Sequence, residues 1–185
     1  MNWSPILKAF AAVALIATAT NVSGCASGAR STEMVVKSSI APTEAGQPGY
    51  KSFRVAGTQG GSGTNPLWMS NVSNEDFKTA LEASLKATNY LADEPGQATA
   101  EVTASMMDLK RPMVGLDLSV TAQVRYSATE VNGGAIVFDY VVAATGTAKM
   151  SEAFMAVERL KLANEAAIRA NIEAFILRLR ERLSK

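Results

Sequence analysis

The chain has 185 residues with 18 basic and 17 acidic side chains, a near-neutral balance that gives no electrostatic footprint for nucleic acid. It has no histidine and one cysteine. That removes the usual general base, every imidazole-based triad and nearly every zinc site, so we expect no enzyme, no metal and no cofactor.

The first element is an export signal. Lys8 precedes an uncharged apolar run from Ala9 to Ala19, and small residues lead on to Cys25. A positive start, an apolar core and a small-residue cleavage site form a secretory signal, and this apolar run is too short to span a bilayer. A lone cysteine in an exported chain cannot form an internal disulfide and needs another explanation. Val22-Ser23-Gly24-Cys25 resembles the lipobox of bacterial lipoproteins, with Val where Leu is commoner. The resemblance implies cleavage before Cys25, a lipid on its sulfur and acylation of the new amino terminus. Three acyl chains exceed the two signals that stable anchoring needs. The next residue is Ala26, not the Asp that retains many such proteins in the inner membrane, so the expected site is the outer membrane, facing the periplasm.

Removing 24 of the 185 residues leaves 161, with 17 basic and 17 acidic side chains and enough length for one domain. Residues 25–49 read as the lipidated cysteine and a flexible tether rich in Ser, Gly, Pro and Thr. As a free coil, the 24 residues after Cys25 would reach about 27 Å on average. Met34-Val35-Val36 is the one patch able to dock on the domain, as a short strand. The single domain is expected over 50–185.

Within that domain, Tyr50 to Ala56 alternates as a short strand. The glycine-rich stretch Gly57–Thr64 follows, but Gly63 stands where a phosphate loop needs Lys, so a surface loop is expected. Trp68 either folds back onto the core or anchors a partner. Ser73 and Asp76 mark a helix start, and Phe77, Ala80, Leu81 and Leu85 form one apolar stripe, ended by Asn89 and Pro95-Gly96.

Three strands are predicted next. Thr99–Leu109 places Val102, Ala104 and Met106 on one side. From Leu116 to Ser127 apolar and polar residues alternate strictly. After the Asn132-Gly133-Gly134 hairpin turn, Ala135–Thr147 places Ile136, Phe138, Tyr140 and Val142 on one face. Val137 and Val141 make its second face only partly polar, so this strand is either central or covered by something else. A long amphipathic helix over Ser151–Leu183 presents Phe154, Val157, Leu160, Asn164, Ile168, Ile172, Phe175, Leu179 and Leu183 to the core, with Glu158, Arg159, Lys161, Arg169 and Glu173 away from it.

Asp108, Lys110, Arg111 and Asp117 gather around one strand-to-strand turn, where solvated turn residues explain them better than paired catalytic carboxylates. Met113 and Val114 in that turn suit a contact surface. Asn164 and Asn171 are expected to satisfy backbone groups under the helix.

Two stretches, Asn65–Phe77 and Glu158–Ile172, resemble a group of small uncharacterised proteobacterial lipoproteins. Some of that group carry the name of UDP-N-acetylglucosamine acyltransferase, an enzyme of left-handed β-helices and a catalytic histidine, neither of which this chain has. More distantly, the element order is similar to periplasmic lipoproteins that accompany transporters or activate cell-wall synthases. The expectation is one α+β domain, an antiparallel sheet of about four strands in the order strand-helix-strand-strand-strand-helix, with both helices on one face. Its expected role is non-catalytic binding of an envelope protein, with Trp68, Met113 and Val114 as contact residues and the membrane held through Cys25. Carriage of a small lipid or glycan between helices and sheet is the alternative, and a homo-oligomer is left open.

Overall fold

The structure, a computed structural model, describes residues 27–37, 40–63, 70–111 and 115–185. Four strands lie in sequence order across one sheet: β1 (Phe53–Gln59), β2 (Ala100–Lys110), β3 (Leu118–Glu130) and β4 (Ile136–Ala148). Helix α1 is one turn, Ser31–Met34; α2 spans Asn74–Ala87 and α3 spans Ala156–Leu183. The sheet is mixed, which corrects the antiparallel expectation. β1 pairs parallel to β2, whereas β2–β3 and β3–β4 are antiparallel. The reason is the intervening helix: α2 carries the chain back along its own length, so β2 starts at the same end as β1.

Local chemistry sets the elements. Ser73 caps α2, its Oγ accepting from the Asp76 N–H at 3.0 Å, and Asn89 at φ 58° turns the chain out of the helix. Alternation in β3 buries Val120, Ala122, Val124, Tyr126 and Ala128. The opposite face of the sheet is polar: Ser119 and Thr147, and Thr121 and Thr145, pair hydroxyls at 2.8 Å, while Arg125 forks onto Asp139 at 2.7 and 2.8 Å. The Arg125 hydrogen bond holds the Asp139 carboxyl below the ordinary range. In β4, Phe138 and Val142 are buried, but Ile136 and Tyr140 are exposed. Of the two readings left open for it, the central strand is excluded, because β4 is an edge of the sheet.

α3 begins at Ala156, five residues later than expected, and Phe154 is exposed rather than part of its buried stripe. Arg159 and Lys161, expected in solvent, are almost fully buried, because neighbouring segments wrap the first turns of the helix. Over β4, α3 comes very close to the sheet. A Cβ on Gly146 would stand 2.1 Å from the Ala167 nitrogen and 2.7 Å from the Ala163 oxygen, so the helix backbone rests where a side chain would otherwise be. One turn further on, buried Asn171 acts as a fork: Nδ2 donates to the carbonyls of Ala122 (3.0 Å) and Val142 (2.9 Å), while Oδ1 accepts from the Tyr126 hydroxyl at 2.9 Å. Burial pushes that phenol well above its ordinary pKa, so it stays a neutral donor. Tyr126 stacks on Phe175 at 4.0 Å, and Phe138 and Phe77 meet this pair edge-on.

The segment expected to be a flexible tether is part of the domain from Ala29 onward. Ala29, Met34, Val36 and Ile40 join the hydrophobic core, and Met34 ends α1 rather than sitting in a strand. These side chains cross the groove between α2 and α3, and their apolar area is what holds the segment down.

Two measurements test this packing. Gly146→Val should unfold the protein or cost more than about 3 kcal/mol in denaturant melts, since overpacking against backbone has nowhere to relax. Asn171→Leu should cost about 2–4 kcal/mol by stranding the Tyr126 hydroxyl, and adding Tyr126→Phe should restore about 1 kcal/mol of it.

Candidate functional site

Cys25, Trp68, Met113 and Val114 all lie outside the described residues. Their described neighbours in the chain, Ser27–Ala29, Gly63 and Ser70, and Arg111 and Gly115, belong to one end of the domain. β1 and β2 end there, β3 begins there and β4 ends there, as the pairing registers require. α2 and α3 also start from this end.

The chain enters the fold at the same place. The Ala29 N–H donates to the Asn71 carbonyl at 3.0 Å, and Arg111 donates to Asn71 Oδ1 at 2.7 Å. Arg30 then grips Glu165 of α3 with its backbone N–H (2.9 Å), Nε (3.1 Å) and Nη2 (3.3 Å). The Glu165 side chain is 3 % exposed, and its hydrogen bond raises the Arg30 guanidinium above its ordinary pKa. Arg169 Nη1 donates to the Glu33 carbonyl, the Val36 N–H to Ser84 Oγ of α2, and the Thr43 N–H to the Thr88 carbonyl. Residues 29–37 and 40–43 are thus a strap over both helices, a third layer with its own polar fastenings.

The charged group around the β2–β3 turn is not a catalytic pair. Asp108 lies opposite Gln123, six residues along the chain from Asp117, a separation of about 20 Å at strand spacing. Asp117 Oδ1 instead accepts from the Met150 N–H at 3.0 Å, joining the start of β3 to the segment after β4. Arg111 is pushed below its ordinary pKa by burial. A cavity of about 370 Å³ opens beside it, lined by Gly60, Ser62, Asn71, Met107 and Asp108 among others.

Two glycines of the 57–63 stretch, Gly60 and Gly61, serve packing. A Cβ on Gly60 would strike the Met106 carbonyl at 2.0 Å, and one on Gly61 would sit 2.7 Å from the Asn74 nitrogen. The Gly61 N–H is already taken by Asn74 Oδ1 at 2.8 Å, so it is not offered to a phosphate. Among the described residues no group of three or more Cys, Asp or Glu side chains could hold a metal ion.

One feature of this end escaped the periodicity. Arg159 donates Nη1 to the carbonyls of Ala153 (2.9 Å) and Phe154 (2.6 Å), and Glu152 accepts from the Lys149 N–H. Residues 149–155 are therefore fixed, yet Phe154 is 85 % exposed, with Met150 and Met155 beside it in sequence also exposed and Leu116 exposed at the start of β3. The three- and four-residue steps of the helix run on through Phe154 and hid this.

Asn164 and Asn171 behave as their place on the helix suggested. Asn164 Nδ2 donates to the Ser70 carbonyl at 2.9 Å, and Asn171 holds two strand carbonyls.

No family model and no curated protein sequence matches the chain. Solved structures do share its fold. A candidate lipoprotein of Caulobacter crescentus superposes at TM-score 0.52 with 15% identity, covering 74% of this chain and 93% of that one. A Xanthomonas campestris protein of family DUF330 superposes at TM-score 0.57 with 8% identity, covering 80% of this chain and 93% of that one. At such identities the likeness is one of fold.

The strap makes its own prediction. Glu165→Gln should leave the far-ultraviolet spectrum unchanged but speed amide exchange at Arg30 and Val36, reflecting loss of roughly 1–2 kcal/mol of local stability.

Proposed function

We propose that this chain is a lipid-anchored protein of the outer membrane, facing the periplasm, that works by binding another envelope component and performs no catalysis. The observation that carries the reading is the signal ending at Val22-Ser23-Gly24-Cys25, with Ala29, the first core residue among the described ones, only four positions later. Among the described residues no helix is long and apolar enough to cross a membrane, so a lipid on Cys25 is the attachment we assign. The fold likeness to a candidate lipoprotein supports the same reading.

Binding is favoured over carriage of a small ligand by what fills the interior. The space between helices and sheet is occupied by Phe77, Tyr126, Phe138, Phe175, Ile168 and Ile172, all buried. Described cavities open at the rims, such as the one of about 450 Å³ between Pro42, Tyr90 and Arg180. Trp68, Met113 and Val114 are the side chains we assign to partner contact.

Wild-type protein should fractionate with outer membranes and yield a mature N-terminus carrying acyl mass on Cys25, while Cys25→Ala should appear in the soluble extract. Cys25→Ala protein that still sediments with membranes overturns the anchor. Crosslinking in cells should capture a discrete envelope protein, and Trp68→Ala or Met113→Ala should weaken that capture.

A further inference from the structure

We propose that the end of the domain carrying Leu116, Met150, Phe154 and Met155 rests on the bilayer to which the chain is anchored, with these side chains inserted among the lipid headgroups. The inference rests on the Cys25 anchor proposed above and adds what that anchor does not specify, the side of the domain that meets lipid.

Reach comes first. Cys25 is four residues from Ala29, and four residues extend at most about 14 Å. Ala29 is not free to drift, because its N–H is held by the Asn71 carbonyl and the next residue by Glu165. A lipid on Cys25 therefore keeps the Ala29 end of the domain within that distance of the membrane surface.

The same end carries the apolar side chains. Ala29 connects through Asn71 to Arg111 at the end of β2, and β2 lies beside the start of β3. Asp117 at that start holds Met150, and the segment from Met150 leads to Phe154 and Met155 at the head of α3. Adjacent strands are about 4.8 Å apart, so the four strand ends at this end of the sheet span only about 15 Å. Leu116 is 72 % and Phe154 85 % exposed, and Met150 and Met155 stand about half out. The segment from 149 to 155 is rigid at the cost of burying a guanidinium, Arg159, whose bonds all serve carbonyls next to the exposed phenylalanine. A held loop presenting a bare aromatic ring is a built contact. Exposed Lys110 and Lys149 are balanced by Asp117 and Glu152, so the attraction is apolar rather than electrostatic. An aromatic ring with Leu and Met beside it is the composition that settles at the boundary of headgroup and acyl chain.

The test uses the lipidated full-length protein, in which Cys25 is blocked by its lipid and an introduced cysteine is the one free thiol. Phe154→Cys and Leu116→Cys would each carry a nitrobenzoxadiazole label, with Asn132→Cys, in the hairpin at the opposite end, as reference. The proteins are reconstituted in vesicles of three parts phosphatidylethanolamine to one part phosphatidylglycerol, with and without shallow doxyl-labelled lipid. Labels at 154 and 116 should emit to the blue and be quenched at least about twofold more than the label at 132, as expected for groups lying roughly 5–10 Å into the interface. Protein that floats with the vesicles while labels at 154 and 116 emit as in water, like 132, overturns this inference and leaves the anchor standing. Labels shielded from aqueous iodide but untouched by doxyl lipid also overturn it, pointing to a protein or a second copy on that end. Protein that fails to float overturns the anchor and this inference with it.

Discussion

The register of α3 on the sheet is the constraint on which the rest of the structure depends, and it is fixed at two points one turn apart. At Gly146 the helix backbone occupies the place of a side chain; at Asn171 an amide ties the helix to β3, β4 and the Tyr126 hydroxyl together. The first contact sets the height of the helix above β4. The second sets its rotation, because a buried amide has few ways to satisfy both donor and acceptor. With height and rotation fixed, Glu165 faces the incoming strap and Arg159 faces the loop after β4. Two charged side chains of this amphipathic helix, Glu165 and Arg159, thus hold both flanking segments.

Much of this was legible from the amino acids. The Ser73 cap, the alternation from Val120 to Ala128 and the Asn132 turn each depend on neighbours in sequence, and each stands where local rules put it. What was not legible depends on tertiary company. A strand carries no mark of parallel pairing; the direction of β1 follows from α2 lying between it and β2. Arg159 and Lys161 read as a solvated face because charge is normally outside, yet both are buried, Arg159 against the loop from 149 to 155. The composition of residues 26–49 resembles a linker, yet Ala29, Met34, Val36 and Ile40 join the hydrophobic core. The contact residues read from sequence, Trp68, Met113 and Val114, all fall outside the described residues, and the apolar set that can be described is a different one.

The two faces of the sheet divide the labour. One is sealed by the helices and filled with aromatic rings, leaving the interior no room for cargo. The other is mostly hydroxyls and ion pairs, Arg54 with Glu101 and Arg125 with Asp139, with half-exposed Val141 opposite Arg125 on β4. The ends of the sheet are where glycines allow close turns, where the exposed Leu, Met and Phe side chains gather, and where the chain comes in.

A strap in place of a tether changes what lipidation would accomplish. A coil of 24 residues would let a domain tumble within about 27 Å of its anchor and present any surface to a partner. Four residues ending in a backbone bond at Ala29 and a guanidinium fork at Arg30 allow much less. The strap is fastened to both helices, so force or torque applied at Cys25 passes into α2 and α3 rather than into a loose linker. Orientation then becomes a property of the fold. The hairpin at Asn132 and the C-terminal end of α3 point away from the entry end.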